Sequence, residues 1–243
     1  MRLHRKNFRH KKIDNSNNKF KKTHTIMYKS IQDAFYAINS TANIGCMSCL
    51  YHAYQPSTVE DFKRQYFENS DDTSSSPYTG RTVTYLQNQA KMMSNLCGRS
   101  VSECYQYMTY RMFEMTFNGM LKEKQAKQII QSRGYSYEEP TSDEDIKLGI
   151  DFKLYKDGKL IAMIQVKPIT FFANTTYNQS LINDRRKAVE KYYITKRLYK
   201  VPTLFMIYNQ KEQRFLKHNN HYLWNLFYLC NNDGTIKNSI CQR

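Results

Sequence analysis

Apolar positions recur at helical spacing through the first half of the chain and switch to alternation after Gly134. From Ile26 to about Tyr54 the text is mixed apolar and small, which predicts helix, and Pro56-Ser57 ends it. "STVEDFKRQYFE" predicts a capped helix. Ser57 or Thr58 serves as N-cap, Glu60 and Asp61 suit the positive end of the helix dipole, and Val59, Phe62 and Tyr66 share one face. Residues 69 to 80, "NSDDTSSSPYTG", read as a polar loop, followed by a helix over about Val83 to Leu96 and the longest one over Met108 to Arg133. In that last helix Phe113, Phe117, Met120, Ala126 and Ile130 form a stripe, and Glu123 falls on or beside it. A carboxylate at an apolar face needs a partner or a metal, which singles out Glu123. Glu114, flanked by Tyr110, Arg111 and Asn118, reads as solvated.

Beyond Gly134, "YSYEEP" predicts a short edge strand and "SDEDIK" a polar turn or short helical segment. "LGIDFKLY" and "KLIAMIQVKP" predict two strands joined around Asp157-Gly158. "NQSLINDRRKAVEKYYITKRLYK" predicts a helix and "VPTLFMIYN" a strand buried on both faces. "NHYLWNLFYLC" closes as an aromatic helix or strand, and no internal repeat is visible. The expected fold is α/β (α+β), organised as a basic arm over 1–24, an N-terminal helical region over 25–107, and a core over 108–243.

Composition adds a partner. The chain has 243 residues, enough for a real core, and a formal charge of +16, far beyond what solubility requires. A polyanion is the expected partner, nucleic acid foremost. Residues 1 to 22 hold nine Lys or Arg against one Asp with almost no apolar periodicity, as a disordered phosphate-binding arm would. No apolar run long enough to span a membrane or to serve as a secretory signal is present, so a cytoplasmic protein is expected. Six cysteines at 46, 49, 97, 104, 230 and 241 are too sparse for a disulfide scaffold, and reduced thiols are expected. Cys46 and Cys49 have the spacing of half a zinc site, without a second pair to complete it.

The chemistry concentrates in Gly149 to Pro168. With a two-residue Asp157-Gly158 turn and no bulge, Asp151 pairs with Ile164 and faces away from Gln165. With a three-residue loop, Lys156 to Gly158, Asp151, Gln165 and Lys167 share a face, while Ile150, Phe152 and Leu154 align with Ala162, Ile164 and Val166, and a bulge near Asp151 would have the same result. The hydrophobic pattern favours the clustered arrangement. An aspartate beside a lysine on adjacent strands suits metal-assisted phosphodiester hydrolysis, in which the carboxylate holds Mg²⁺ and the lysine orients water or stabilises developing charge. Glu123 supplies a second negative charge if its helix packs beneath the hairpin, and the carbonyl of Val166 adds a hard-oxygen ligand. Asn174, Asn178 and the helix with Arg185, Arg186, Lys187 and Lys191 offer phosphate or base-edge contacts.

Gly149-Ile150-Asp151, a hairpin, then Gln165-Val166-Lys167-Pro168 resembles the PD-(D/E)XK nuclease motif with glutamine at the second acidic position. The helix carrying Gly119 and Glu123, the "RGYSY" edge, and the following basic helix and apolar strand match an α-β-β-β-α-β core. The resemblance covers about residues 108 to 210. With "STVEDFKRQYF" upstream, the whole is similar to type II restriction endonucleases of the MjaI type. It implies a restriction-endonuclease-like core, a central mixed sheet flanked by helices, and Mg²⁺-dependent cleavage of double-stranded DNA. Asp151 is then a metal ligand, Gln165 stands at the second-acid position, Lys167 is the catalytic lysine and Glu123 an accessory acid. A homodimer is expected, because palindromic sites are met by two-fold symmetry.

Overall fold

The computed structural model describes residues 30–39, 41–141, 143–173 and 179–237. The basic arm, Cys241, Asn174 and Asn178 lie outside the described residues.

The N-terminal part is a stack of short helices. The stretch after Ile26 does not form one helix. It divides into α1 (Ile31–Ile38), α2 (Thr41–Ile44) and α3 (Met47–Tyr54). The break before α3 is at Gly45, at φ +79°, where a Cβ would sit 2.8 Å from the Thr79 carbonyl oxygen. The capped segment forms α4 (Val59–Glu68), with the Thr58 hydroxyl accepting from the Asp61 N–H. After the polar loop comes α5 (Val83–Cys97), ended by Gly98 in the left-handed conformation. The helix expected from Met108 starts earlier. Ser100 and Glu103 form a reciprocal capping box ahead of α6 (Val101–Thr109), a π-helical segment covers Tyr110–Met115, and α7 (Thr116–Gln131) continues the run.

Buried aromatics hold this part together. Phe113 is fully buried and meets Tyr66 and Phe62 edge to face at 5.1 and 5.7 Å. Glu114 is less solvated than its neighbours suggested, since Lys63 reaches it at 2.6 Å and ties α4 to the π-helical segment. Cys46 and Cys49 are joined as a disulfide at the start of α3, contrary to the expectation of reduced thiols. A CxxC pair over the first helical turn brings the two Cα atoms to 5.2 Å, within bonding reach. Cys97, Cys104 and Cys230 are free.

The second part is a mixed sheet between two helices, as the alternation after Gly134 predicts. Its strands are β1 (Ser136–Glu138), β2 (Phe152–Lys156), β3 (Lys159–Pro168), β4 (Thr203–Asn209), β5 (Arg214–Phe215) and β6 (Leu223–Asn225). The order is β1-β2-β3-β4-β5, with β6 also on β4. β3 and β4 are parallel, which requires a crossover, and α8 (Gln179–Tyr199) provides it. Ala126 and Ile130 of α7 pack on Phe152, Leu154, Ala162, Ile164 and Met206 on one face. Ala188, Val189 and Tyr192 of α8 pack on Phe205 and Ile207 on the other. The aromatic tail is both of the expected forms in turn, β6 followed by α9 (Leu226–Leu229). No helix among the described residues is long and apolar enough to cross a membrane.

Replacing Phe113 by alanine is expected to cost about 3–5 kcal/mol, because the edge-to-face cluster loses its centre. The denaturant midpoint and slope of the variant against the parent measure it.

Candidate active site

The hairpin closes on a two-residue turn. Asp157 and Gly158 both have positive φ, at +50° and +75°, as a type I′ turn requires. Lys156 therefore pairs with Lys159, yet Leu154 pairs with Ala162 and Phe152 with Ile164, because the register shifts between Leu154 and Tyr155. The extra residue opposite that step is Ile161. This bulge restores the parity that a plain two-residue hairpin would lose. Beyond Phe152↔Ile164 the ladder ends, and Asp151 stands one residue before β2, still bonded through its N–H to Ile164. Ile150 departs from the expected apolar side, since the chain has not yet entered the sheet there, and it packs with Leu148 and Met163.

Gln165 and Lys167 share the face covered by α8, and Asp151 meets their strand between them, at Val166. In the parallel ladder Gln165 lies beside Phe205 and Lys167 beside Ile207, both of which belong to the cluster under that helix. The Asp151 N–H donates to the Ile164 carbonyl at 2.9 Å, and its Oδ2 accepts the Val166 N–H at 2.5 Å. The strand partner has run out at this point, and the aspartate side chain completes the ladder in its place. A residue's N–H and C=O leave the same edge of a strand, so the Val166 carbonyl faces the same side as the carboxylate. Gln165 is buried and donates through Nε2 to the Leu148 carbonyl at 3.2 Å. That bond holds the turn ending at Gly149, two residues before Asp151. A carboxylate in the same position would set oxygen against oxygen.

Glu123 approaches from the opposite layer. It is on α7, one turn before Ala126, and close enough to Asp151 for the aspartate's charge to act on it. Burial and the negative Asp151 push its carboxyl up to about 8, against the pull of Lys127 and Lys167. Burial also raises the Asp151 carboxyl, opposed first by Lys167 and then by the Val166 N–H. Two acids that each resist ionisation, with the Val166 carbonyl beside one of them, are the groups here that could hold a hard divalent cation. Among the described residues no group of three His, Cys, Asp or Glu side chains gathers at metal-binding distance. A cation held here would keep several waters, as Mg²⁺ does.

Sequence patterns passed over Asp145. It lies in a π-helical turn, Glu144–Leu148, whose Asp145 carbonyl accepts the Gly149 N–H at 2.7 Å. Burial raises its carboxyl while Lys167, His52 and Lys191 lower it, so it shares the electrostatic neighbourhood of the hairpin acids. The signal available was its position four residues before a left-handed glycine that opens the motif.

The helix after the lysine serves two uses. Arg186 and Lys187 are exposed on α8 and free to meet phosphates. Arg185 is 1% exposed, donating through Nε to the Gly234 carbonyl at 2.6 Å and through a terminal nitrogen to Phe171 at 2.9 Å. It pins backbone inside the core instead of reaching out to DNA. Its spacing from Val189 and Tyr192 marks it as part of the buried stripe.

The MjaI restriction endonuclease family model matches residues 9–221. This chain belongs to that family. No match was found among the curated proteins or among solved structures. As a member of the MjaI restriction endonuclease family the protein is a type II restriction endonuclease, with DNA as its substrate class. The match runs from the basic arm through β4 and the loop before β6 and so spans both the helical part and the hairpin.

The Glu123 shift fixes a sign. Its carboxyl is raised above the ordinary 4.5 to about 8 in the folded state, so the unfolded chain ionises first and stability falls as pH climbs between those values. In metal-free buffer Glu123→Gln is therefore expected to match the parent near pH ~4 and to be the more stable protein near pH ~8. Urea denaturation at the two pH values reads the difference.

Proposed function

We propose that this protein is a Mg²⁺-dependent endodeoxyribonuclease that hydrolyses phosphodiester bonds of double-stranded DNA at a specific short sequence, as the nuclease of a restriction-modification system. The observation that supports the reading is the Asp151 carboxylate bonded to the Val166 N–H, next to Lys167 on the same strand, with the positive Lys167 acting on it and Glu123 of α7 close enough to feel its charge.

Asp151, Glu123 and the Val166 carbonyl would hold the cation. Bound there, Mg²⁺ would polarise the scissile phosphate and lower the pKa of a water. Lys167 makes no ion pair among the described residues, which leaves its ammonium for the attacking water or the charge that grows on the phosphate. Gln165 contributes geometry: through Leu148 it fixes the turn that delivers Asp151. Arg186 and Lys187, with Asn174 and Asn178, are assigned to the DNA backbone and base edges. The charge of +16 supports the same partner. A homodimer acting in the cytoplasm fits a two-fold recognition site.

Incubation of the purified protein with plasmid DNA and Mg²⁺ is expected to give discrete fragments. Asp151→Asn and Lys167→Ala are expected to lose about 100-fold or more in cleavage rate while still retarding DNA in gels, because charge stabilisation and water activation each contribute on that scale. Retarded but uncut DNA from the parent protein under the same conditions would overturn the reading. Removing Mg²⁺ with chelator is expected to stop cleavage, and adding it back to restore it.

A further inference from the structure

Lys191 is the one α8 cation turned towards the hairpin. It is three residues after Ala188 and four before Thr195, both buried, so it stands at the edge of the helix face that packs on the sheet. The side chain is half-buried, unlike exposed Arg186, Lys187 and Lys196 on the same helix. Its ammonium rests against the bare Cα of Gly149. A Cβ built there would lie 3.3 Å from Lys191 Nζ and 3.6 Å from Gln165 Nε2. Glycine at that position leaves the room that Lys191 occupies, and the lysine and the glutamine amide converge on one spot two residues from Asp151.

Lys191 makes no ion pair or hydrogen bond among the described residues, and neither does Lys167. Burial depresses the Lys191 ammonium, and the positive Lys167 depresses it further, with Asp145 and Asp151 opposing. Two half-buried ammonium groups close enough to repel each other are costly unless an anion comes between them. Their surroundings define that anion. It lies beside a metal-binding carboxylate, at the end of a sheet, on the face of a DNA-binding helix, which is where a scissile phosphate must sit for Asp151 and Lys167 to act on it.

We propose that Lys191 is a second catalytic lysine, which holds a non-bridging oxygen of the scissile phosphate opposite Lys167. This inference rests on the nuclease reading above and moves Lys191 from the set of general backbone contacts into the reacting centre. Its ammonium donates to an oxygen that gains negative charge in the transition state and so contributes more there than in the ground state. Neither lysine needs to give up or take a proton for this role.

The test is single-turnover cleavage of a DNA duplex carrying the protein's site, at saturating enzyme with Mg²⁺, alongside duplex affinity in Ca²⁺. Lys191→Met keeps the length and removes the charge. It is expected to slow cleavage at saturation by about 30-fold or more while changing affinity by less than about 3-fold, since the contact tightens only as charge develops. Lys191→Arg, which keeps the charge, is expected to recover part of the rate. Thermal unfolding is expected to show Lys191→Met at least as stable as the parent, because an unpaired buried charge has gone, and this separates the effect from misfolding. Cleavage by Lys191→Met at the parent rate with weakened affinity would overturn the proposal and leave the nuclease reading standing, with Lys191 a peripheral phosphate contact. A parent protein that binds DNA but cuts none would overturn both.

Discussion

Because side chains alternate along a strand, one residue of slip between β2 and β3 would carry Gln165 and Lys167 to the other side of the sheet. The tight Asp157-Gly158 turn alone would impose that slip. The bulge at Ile161 removes it by adding a residue to β3 between the turn and the site, so a favourable turn and a common apolar face coexist. The local twist that accompanies a bulge also suits the early end of β2, which stops at Phe152 and leaves Val166 without a backbone partner on that edge. Asp151 fills that vacancy with its carboxylate. The same bond that finishes the sheet fixes the acid, and the acid therefore has little freedom to wander when the protein is alone.

The charges around this point are arranged against the free protein's comfort. Glu123 and Asp151 are both pushed towards protonation by burial, and Lys191 is pushed towards neutrality. Each shift has the sign that an opposite charge would relieve: a cation for the acids, an anion for Lys191. Gln165 belongs in this balance. A third acid beside Asp151 and Glu123 would add repulsion, whereas the amide donates to Leu148 and steadies the turn. A glutamine at this position thus exchanges charge for order.

Most of the framework was legible because its signals are local. Thr58 and Asp61 announced α4, the Asp157-Gly158 pair announced the hairpin, and alternation placed Phe152, Leu154, Ala162 and Ile164 on one face. Glu123 stood out as a carboxylate on an apolar stripe, and its raised carboxyl has the burial that the stripe implied. What escaped depends on tertiary approach. Nothing in the run after Ile26 states that Gly45 must pass beneath Thr79, so one helix was expected where three exist. Arg185 carried the helical spacing of a buried residue, but a guanidinium that spends itself on the carbonyls of Gly234 and Phe171 is visible only once those segments fold over it. The depth of Lys191 is of the same kind, since it depends on a glycine forty-two positions earlier in the sequence.

The N-terminal helices are more than an appendage to the sheet. α3 packs on α7, with the Tyr51 ring edge-on to Phe117 at 5.7 Å. The Tyr51 hydroxyl is raised by burial and then by the negative Glu123, which places it near that carboxyl. His52, the next residue, lowers the Asp145 carboxyl across the gap to the other part of the protein. The helix that carries Glu123 is therefore held from both directions, by Phe152 and Ile164 beneath it and by the aromatic cluster of α3 and α4 beside it. A carboxylate that must meet Asp151 around the end of a strand needs such two-sided support, because a rotation of α7 by one residue would turn Glu123 by roughly 100° away from the site. The family match extends back to residue 9, well before the hairpin. That reach agrees with a helical part whose packing sets the position of an acid in the site.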